Sequence, residues 1–272
     1  MSKIIEDLIK LALAEDVGPG DITTESIVDK GKKARAEIIV KEDGIVAGLP
    51  LAQIVFSSLD KGIKFKPVVK DGTFVKKGKK IAEIYGEARA ILSGERLALN
   101  ILQRLSGIAT TTSLFVKKVK GTRTVILDTR KTIPLWRGAD KYAVLAGGGS
   151  NHRFGLFDAI LIKDNHLKFA DIKLAVEKCK AAKMKIEVEV KNLSETKEAI
   201  ISKADRILLD NMDAKTTKRA VALCKKAGIE TEASGGINIK NVRTIAKTGV
   251  DFISIGALTH SPKALDISLE II

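Results

Sequence analysis

Residues 186–211 read IEVEVKNLSETKEAIISKADRILLDN, and this stretch decides the fold. Its two apolar runs, Ile186 to Val190 and Arg206 to Leu209, are separated by a polar segment long enough for a helix. A strand, a crossover helix and a second strand in this order favour a parallel βαβ unit. Outward from this stretch the same unit recurs, with predicted strands at 125–127, 159–162, 186–190, 206–209, 230–233 and 252–255.

Six strands are predicted where a complete (β/α)₈ barrel has eight. The segment that holds them has about 155 residues, whereas a complete barrel needs roughly 250. We therefore expect an α/β fold whose main domain is an incomplete, about six-stranded βα-barrel. An open doubly wound sheet is the alternative.

The sequence before residue 109 predicts a smaller domain. Apolar residues at helical spacing from Ile4 to Leu13 indicate a first helix, and short strands with one helix near 51–59 follow. A long helix, expected to begin with Ser93 as its N-cap, leads into the barrel. Residues 265–272 alternate in polarity and predict a strand that returns to the first domain. The expected domains are an N-terminal α/β sandwich, 1–108 joined by the strand 265–272, and a catalytic βα-barrel, 109–264.

Composition limits the classes of function. The formal net charge of +14, from 47 basic and 33 acidic residues, suits an anionic substrate, a nucleic acid or a membrane surface. Eight Phe, two Tyr and one Trp offer few stacking partners, and no motif that reads DNA or RNA is present, so we expect no nucleic-acid partner. No apolar run approaches the length of a membrane span, so we expect no membrane partner and a cytoplasmic location.

Cysteine and histidine are too scarce for a metal centre built from them. Cys179 and Cys224 lie in predicted helices, and neither a disulfide framework nor a Cys-based metal site can be built from two such residues. Any metal is therefore expected to be held by oxygen ligands.

Five cationic residues lie at or near the ends of the first two predicted strands. The C-terminal ends of barrel strands meet at one face, which forms the active site. We therefore expect the five to form one pocket, which holds more positive charge than a single monophosphate needs. A second polyanion is expected there. The five residues are Arg130, Lys131, His152, Arg153 and Lys163.

Glycine-rich turns follow the fifth and sixth predicted strands, at Ser234-Gly235-Gly236 and at Gly256. Each is expected to precede a helix, where bare backbone N–H groups can bind a phosphate. Barrels often hold phosphate after their last two strands. The alternative is that these glycines only make tight turns.

Two carboxylates, Glu189 and Asp210, lie at the ends of the third and fourth predicted strands, among the cationic residues described above. Carboxylate oxygens suit Mg²⁺ or the hydroxyls of a ribose. For Glu189, the alternative is a barrel-lining residue paired with Lys163.

The long helix carries polar residues beside its packing stripe. Arg96, Asn100 and Arg104 recur at helical spacing next to Leu97, Ile101 and Leu105. We expect the apolar stripe to pack and the polar stripe to present hydrogen-bond donors.

Several long motifs, taken in order, carry a resemblance to a known family. They resemble those of the carboxylating nicotinate-nucleotide pyrophosphorylases, also called quinolinate phosphoribosyltransferases, over nearly the whole chain. The motifs are Glu95 to Asn100, Leu105 to Thr110, Asp128 to Thr132, Gly147 to Arg153, Lys163 to His166, Leu209 to Asn211 and Glu232 to Ile237.

The resemblance implies a pentosyltransferase of NAD biosynthesis, which joins quinolinate to phosphoribosyl pyrophosphate and gives nicotinate mononucleotide, pyrophosphate and CO₂. It implies a homodimer or a higher oligomer with shared active sites, because the Arg that matches Arg96 enters the neighbouring subunit's pocket. It implies Mg²⁺ at Glu189 and Asp210. The residues implied for quinolinate are Arg96, Arg130, Lys131, His152, Arg153 and Lys163. Those implied for phosphoribosyl pyrophosphate are Glu189, Asp210, Ser234, Gly235, Gly236 and Gly256.

Other functions stay open at this point. A related phosphoribosyltransferase-like protein associated with molybdenum transport is one alternative, and a phosphoribosyltransferase that acts on another pyridine acid is a second. An acceptor with one carboxylate would not need so many cations, which favours quinolinate. A nucleic-acid-binding module is a remote alternative, suggested only by the net charge.

Overall fold

A computed structural model describes residues 3–272; Met1 and Ser2, the first two residues of the expected N-terminal domain, lie outside the described part. The chain forms two compact units, each described by itself. The first comprises the residues up to Ser113 together with Thr132–Gly148 and Leu258–Ile272, and the second comprises Leu114–Lys131 and Gly149–Ala257. The expected domain bounds, 1–108 and 109–264, stay a prediction.

The first unit is built on a four-stranded antiparallel sheet with the order β12-β1-β5-β3. The predicted return of the last segment is confirmed, because β12 pairs with β1 from Ala36 opposite Ile271 to Val40 opposite Ile267. The strands are β1 Lys33–Val40, β2 Gly44–Ile45, β3 Lys64–Pro67, β4 Phe74–Val75, β5 Lys80–Glu87 and β12 Ile267–Ile271. The helices are α1 Lys3–Val17, α2 Ile22–Ile27, α3 Leu49–Leu59, α4 Ala88–Val119, which continues into the second unit, and α5 Arg137–Ala146.

Helix α4 begins five residues before Ser93, so the prediction of Ser93 as its N-cap was wrong. The chain enters the helix directly from β5, and the Glu87 side chain accepts the backbone N–H of Ala90 at 2.9 Å. A carboxylate at this position satisfies an N–H of the first turn as a cap does. Ser93, inside the helix, donates its hydroxyl to Asp21 at 3.1 Å.

The second unit contains a six-stranded, all-parallel sheet with the order β6-β11-β10-β9-β8-β7. From β7 to β11 each strand lies beside the next one in the chain, and β11 returns to the first strand, β6. A doubly wound sheet would reverse its order at a switch point, so the predicted incomplete barrel is confirmed and the alternative was wrong. The strands are β6 Val125–Leu127, β7 Ile160–Ile162, β8 Ile186–Val190, β9 Arg206–Asp210, β10 Glu230–Ser234 and β11 Phe252–Ser254.

Three helices of this unit start on side-chain caps placed shortly after a strand. Asp171, Asn192 and Asp213 each accept the backbone N–H of the residue three positions later. Such caps fix where a helix begins, and so they also fix the path of the loop between strand end and helix. The helices after the strands are α6 Ile172–Cys179, α7 Leu193–Ile201, α8 Ala214–Lys226, α9 Val242–Ala246 and α10 Ala257–His260.

Within residues 3–272, no helix has both the length and the apolar character that a membrane crossing requires.

Candidate active site

The C-terminal ends of the parallel strands gather the predicted site residues at one edge of the sheet. Because all six strands run the same way, side chains that end or follow them share that edge. Arg130 and Lys131 come shortly after β6, Lys163 follows β7, Glu189 lies in β8, Asp210 ends β9, Ser234 ends β10, and Gly256 follows β11.

The segment 149–153 lies alongside β6. Ser150 donates its backbone N–H to the carbonyl of Ile126 at 2.8 Å and accepts the N–H of Asp128 at 3.2 Å. The same strand pairs with β11, so this segment occupies the side of β6 that β7 would take in a closed barrel. Asp128 then accepts the backbone N–H of His152 at 2.9 Å, which fixes the backbone at the base of that side chain.

The His152 ring is held between two buried carboxylates. Its Nε2 atom lies 3.1 Å from Oε2 of Glu187 and 3.5 Å from Oε1 of Glu232. Its Nδ1 atom accepts the backbone N–H of Arg153 at 2.7 Å. The acceptor role of Nδ1 places the ring proton on Nε2, facing the carboxylates.

These groups shift each other's proton affinity. Burial, together with the charge of Glu187, raises the pKa of Glu232 to about 7, although His152 and Ser254 oppose the rise. Burial lowers the pKa of His152, but its hydrogen bond to Glu187 and the two carboxylate charges outweigh this, so the pKa lies above the ordinary value.

Arg206 balances the buried carboxylates from below. Its guanidinium reaches Glu232 at 3.5 Å and Glu230 at 3.1 Å, and it stacks 4.0 Å over the Phe252 ring. This cation lies at the start of β9 and contacts one oxygen of the buried Glu232 carboxylate.

The side chains of His152, Glu187 and Glu232 are of the types that ligate metals. In the part of the chain that the structure describes, ligand atoms of His152, Glu187 and Glu232 lie within 4.8 Å of one another. The Nε2 proton of His152 already faces Glu187, and Arg206 supplies a positive charge to Glu232. Oε1 of Glu187 and Oε1 of Glu232 are buried without a hydrogen-bond partner among the described residues, so these contacts do not satisfy every carboxylate oxygen of the cluster.

Above this cluster, Arg130 and Arg153 face each other. The Nε atom of Arg130 is buried without a hydrogen-bond partner among the described residues. Burial and the Arg130 charge both lower the pKa of Arg153, although its Nη1 atom donates to the Ala159 carbonyl at 2.8 Å. Two guanidinium groups held together in this way form a site for an anion, because an anion would relieve their repulsion and supply the missing acceptor.

An alternating set of charges continues along β7, β8 and β9. Lys163 lies 3.3 Å from Glu189, so the ion pair that the sequence allowed as an alternative is present. Lys191, which the sequence analysis did not single out, lies 2.8 Å from Asp164. The hydrogen bond to Asp164 and the charges of Asp164, Glu189 and Asp210 raise the pKa of Lys191. The Lys191 ammonium group therefore lies in the field of three strand-end carboxylates.

The glycine turn after β10 has left-handed backbone at Gly235 and Gly236, with φ of 86° and 62°. Within the described residues, neither backbone N–H donates a hydrogen bond. The predicted helix follows this turn, but α9 begins only at Val242, and Asn241 donates its side-chain N–H to the Gly236 carbonyl at 2.9 Å. At Gly256 the expectation was right, since α10 begins at the next residue. Any phosphate at the first turn would meet loop N–H groups, which can form an anion site of their own.

Arg96 and Asn100 both lie on α4 in the first unit, and both are exposed. Arg104 departs from the expected donor stripe: it donates to both oxygens of buried Asp140, at 3.0 and 2.9 Å, and to the Thr259 carbonyl at 3.0 Å. Helical spacing placed these three residues on one stripe but could not reveal a buried carboxylate beside Arg104.

Comparison with known proteins identifies the family. The model of the quinolinate phosphoribosyl transferase N-terminal domain matches residues 21–106, and that of the C-terminal domain matches residues 108–270. The chain belongs to the quinolinate phosphoribosyltransferase family.

Relatives match over the whole length of this family member. A Bacillus subtilis protein named "Probable nicotinate-nucleotide pyrophosphorylase (carboxylating)" is 44% identical over 98% of this chain and 93% of its own. The chloroplastic nicotinate-nucleotide pyrophosphorylase (carboxylating) of Arabidopsis thaliana is 44% identical over 98% of this chain and 82% of its own. The solved structure of the nicotinate-nucleotide pyrophosphorylase from Francisella tularensis is similar with a TM-score of 0.94, at 43% identity, over 99% of this chain and 96% of that chain.

Sequence reasoning missed three charged residues in or beside the candidate site of this family member: Glu187, Glu232 and Lys191. A signal existed for Glu187, because it precedes Glu189 by two positions in a strand and so shares its face. Glu232 stands two residues before Ser234 in the same way. Two acidic residues on the inward face of strands that are otherwise apolar require buried partners, and His152 and Arg206 are those partners.

Proposed function

We propose that this chain transfers the phosphoribosyl group of phosphoribosyl pyrophosphate to the ring nitrogen of quinolinate, with loss of one carboxylate as CO₂. The products are nicotinate mononucleotide and pyrophosphate, and the step belongs to NAD biosynthesis. The observation that carries the proposal is the pair of Arg130 and Arg153, whose charges interact, together with the buried Nε of Arg130, which has no hydrogen-bond partner among the described residues. Quinolinate, with two adjacent carboxylates, suits such a pair.

The quinolinate carboxylates bind to the guanidinium forks of Arg130 and Arg153, which match a carboxylate with two parallel hydrogen bonds. Lys163 and Lys131 add positive charge at the neighbouring strand ends. His152 belongs to the same group and also holds the Arg153 backbone through Nδ1. Together these groups would orient the ring so that its nitrogen faces the ribose.

Bond formation and bond breaking then follow from charge. The ring nitrogen attacks the anomeric carbon while pyrophosphate leaves, and positive charge develops on the ribose. Carboxylates already placed near that charge stabilise the transition state. The new bond leaves a formal positive charge on nitrogen, so the carbanion formed when the adjacent carboxylate departs as CO₂ is stabilised as an ylide, which takes a proton to give the product.

Glu189 and Asp210 serve the phosphoribosyl side. They supply oxygen ligands at the ends of adjacent strands, the donor type that Mg²⁺ prefers when substrate phosphates complete its coordination. We assign them the ribose hydroxyls and Mg²⁺, which when bound would neutralise the pyrophosphate leaving group. The 5′-phosphate is assigned to Ser234, Gly235, Gly236 and Gly256, supported by the N–H groups of the glycine turn that donate no hydrogen bond within residues 3–272.

We further propose a homodimer, or a higher oligomer, in which Arg96 completes the quinolinate site of the neighbouring subunit. Arg96 is exposed on α4. Exposed apolar residues of the first unit, Leu11 at 67%, Ile22 at 81% and Ile27 at 77%, support an interface on that unit. A cytoplasmic location completes the proposal, because both substrates are highly charged metabolites and Cys179 and Cys224 are free thiols.

The test is incubation of the purified protein with quinolinate, phosphoribosyl pyrophosphate and Mg²⁺, with detection of nicotinate mononucleotide and of ¹⁴CO₂ from labelled quinolinate. Product and CO₂ are expected in equal amounts. Nicotinate is the control acceptor and should give almost no product, because its single carboxylate leaves part of the cationic pocket uncompensated. Equal turnover of nicotinate would overturn the assignment.

A further inference from the structure

Asn211 follows the last residue of β9 and adopts a left-handed backbone, with φ of 54°. L-residues seldom take this conformation, although Asn tolerates it better than most. The backbone N–H of Asn211 donates to the Ser234 carbonyl at 2.8 Å. This hydrogen bond ties the end of β9 to the end of β10, at the point where the glycine turn begins.

The Asn211 side chain turns back towards its neighbour in sequence. Its Nδ2 atom donates to Oδ2 of Asp210 at 3.0 Å. The carboxylate of Asp210 is only half-buried and would otherwise rotate among several positions. The amide therefore limits the orientation of the carboxylate that is assigned to the ribose.

The same amide lies flat against Gly235. A Cβ atom added to Gly235 would overlap the Asn211 side chain, with Nδ2 at 2.6 Å and the other two amide atoms closer still. A Cβ atom added to Gly236 would have more room, because it would lie 3.9 Å from the Asn211 side-chain oxygen. Asn211 thus fixes the side on which the turn can pack, while its own side chain stays exposed and contributes little to the core.

We infer that Asn211 is a positioning residue that couples the Asp210 carboxylate to the Ser234–Gly236 turn, so that the ribose and the 5′-phosphate of phosphoribosyl pyrophosphate are received at a fixed separation. The inference rests on the proposed function, which assigns Asp210 and the turn to that substrate. In this left-handed conformation the single residue Asn211 contacts both groups.

The first experiment removes the amide donor in two ways. Asn211→Asp removes the donor and places a second negative charge beside Asp210, and Asn211→Gly removes the side chain while allowing the left-handed backbone. Both variants should raise the KM for phosphoribosyl pyrophosphate by about tenfold, the equivalent of one lost hydrogen bond to a charged group. The KM for quinolinate should stay within about twofold, since that pocket is not touched.

Direct binding provides a readout that does not depend on turnover. Calorimetry with phosphoribosyl pyrophosphate and Mg²⁺ should show the same loss of affinity in both variants, and thermal unfolding should show that they are folded. If Asn211→Asp does not fold, Asn211→Gly alone decides the point. Unchanged affinity for phosphoribosyl pyrophosphate in a folded variant, with an active wild type, would overturn the inference and leave the proposed function standing.

A double-mutant cycle tests the contact with the turn. Gly235→Ala should impair phosphoribosyl pyrophosphate binding less in the Asn211→Gly background than in the wild type, because the overlap with the amide has been removed. Gly228→Ala is the matched control for backbone strain: its φ is 71° and nothing lies within 4 Å of an added Cβ. Equal effects of Gly235→Ala in both backgrounds contradict the coupling. A wild-type protein that neither binds phosphoribosyl pyrophosphate nor turns over quinolinate contradicts the proposed function as well.

Discussion

The Nε2 atom of His152 lies 3.1 Å from the Oε2 atom of Glu187, and both side chains are only 9% exposed. His152 comes from the segment beside β6, and Glu187 comes from β8, so this contact spans the inside of the sheet. The positive residues at the strand ends therefore stand above a layer of buried carboxylates. That layer reduces the cost of gathering several cations before an anion arrives.

The buried carboxylate of Glu232 makes stability depend on pH. Its pKa of about 7 in the folded protein exceeds the ordinary value, so the unfolded chain loses this proton at lower pH than the folded one. The stabilisation is complete below about pH 4.5, and the free energy of unfolding falls as pH rises to about 7, by roughly 3 kcal/mol in all. Glu232→Gln should make this slope smaller, as measured by denaturant unfolding at pH 5 and pH 8.

Glu177→Gln, on the exposed side of α6, is the matched control for that measurement. It should follow the wild type at both pH values. If Glu232→Gln keeps the wild-type slope, the proton on Glu232 is not the one that links folding to pH. The raised pKa of His152 also lowers the free energy of unfolding as pH rises above about 6.5, so some slope should remain in Glu232→Gln.

The ion pair of Arg104 with Asp140 predicts a second stability effect. Asp140 is fully buried, and Arg104 donates to both of its oxygens. Arg104→Ala leaves that buried carboxylate without its ion-pair partner and should lower the free energy of unfolding by about 3 kcal/mol. Asn100→Ala, one turn earlier on α4 and exposed, should change it by less than about 0.5 kcal/mol. A small effect of Arg104→Ala in denaturant unfolding contradicts a structural role.

The two arginines of α4 show where sequence reasoning stops. Arg96 and Arg104 occupy equivalent places on one stripe, yet one is exposed and the other is bound to a buried carboxylate. Helical periodicity defines which residues share a side of a helix. It cannot define what faces that side, because the partner Asp140 comes from a distant part of the chain.

The strand ends could be predicted for a physical reason. Strands of a parallel sheet are buried on both sides and form apolar runs, so the first polar residues after each run mark the active edge. Lys163 and Asp210 were found in this way. Glu187 and Glu232 were not, because they lie inside strands, where a buried carboxylate is stable only with partners that distant segments provide. Asn211 was named only within the Leu209 to Asn211 motif, because its contact with Gly235 depends on pairing between β9 and β10.

Arg130→Ala should weaken quinolinate binding by about 1.5–3 kcal/mol, the value of a hydrogen bond to a charged group. The effect on phosphoribosyl pyrophosphate should be smaller, because that substrate is assigned to other strand ends. Calorimetry with each substrate measures both. Arg219→Ala, exposed on α8, controls for the loss of one positive charge. Unchanged quinolinate affinity in Arg130→Ala means that Arg130 is a structural residue.

Glu189→Gln and Asp210→Asn should reduce kcat more than they reduce quinolinate affinity, because both carboxylates are assigned to the ribose and Mg²⁺. Glu189→Gln also releases Lys163 from its ion pair at 3.3 Å, so a modest gain in quinolinate affinity is expected there. Steady-state kinetics with each substrate varied in turn separates the two effects. Loss of quinolinate affinity with normal turnover at saturation contradicts the assignment.

Complementation between two inactive variants tests whether the active sites are shared. Arg96 belongs to the first unit and Lys163 to the second, and the proposal places the Arg96 of one subunit in the site that contains the other subunit's Lys163. Arg96→Ala and Lys163→Ala should each be nearly inactive as homodimers. After subunit exchange, each heterodimer has both lesions in one site and none in the other. Each heterodimer should therefore have up to half of the activity of a wild-type dimer. Native mass spectrometry confirms that heterodimers have formed. If they have formed and no activity returns, Arg96 acts within its own subunit or outside the site.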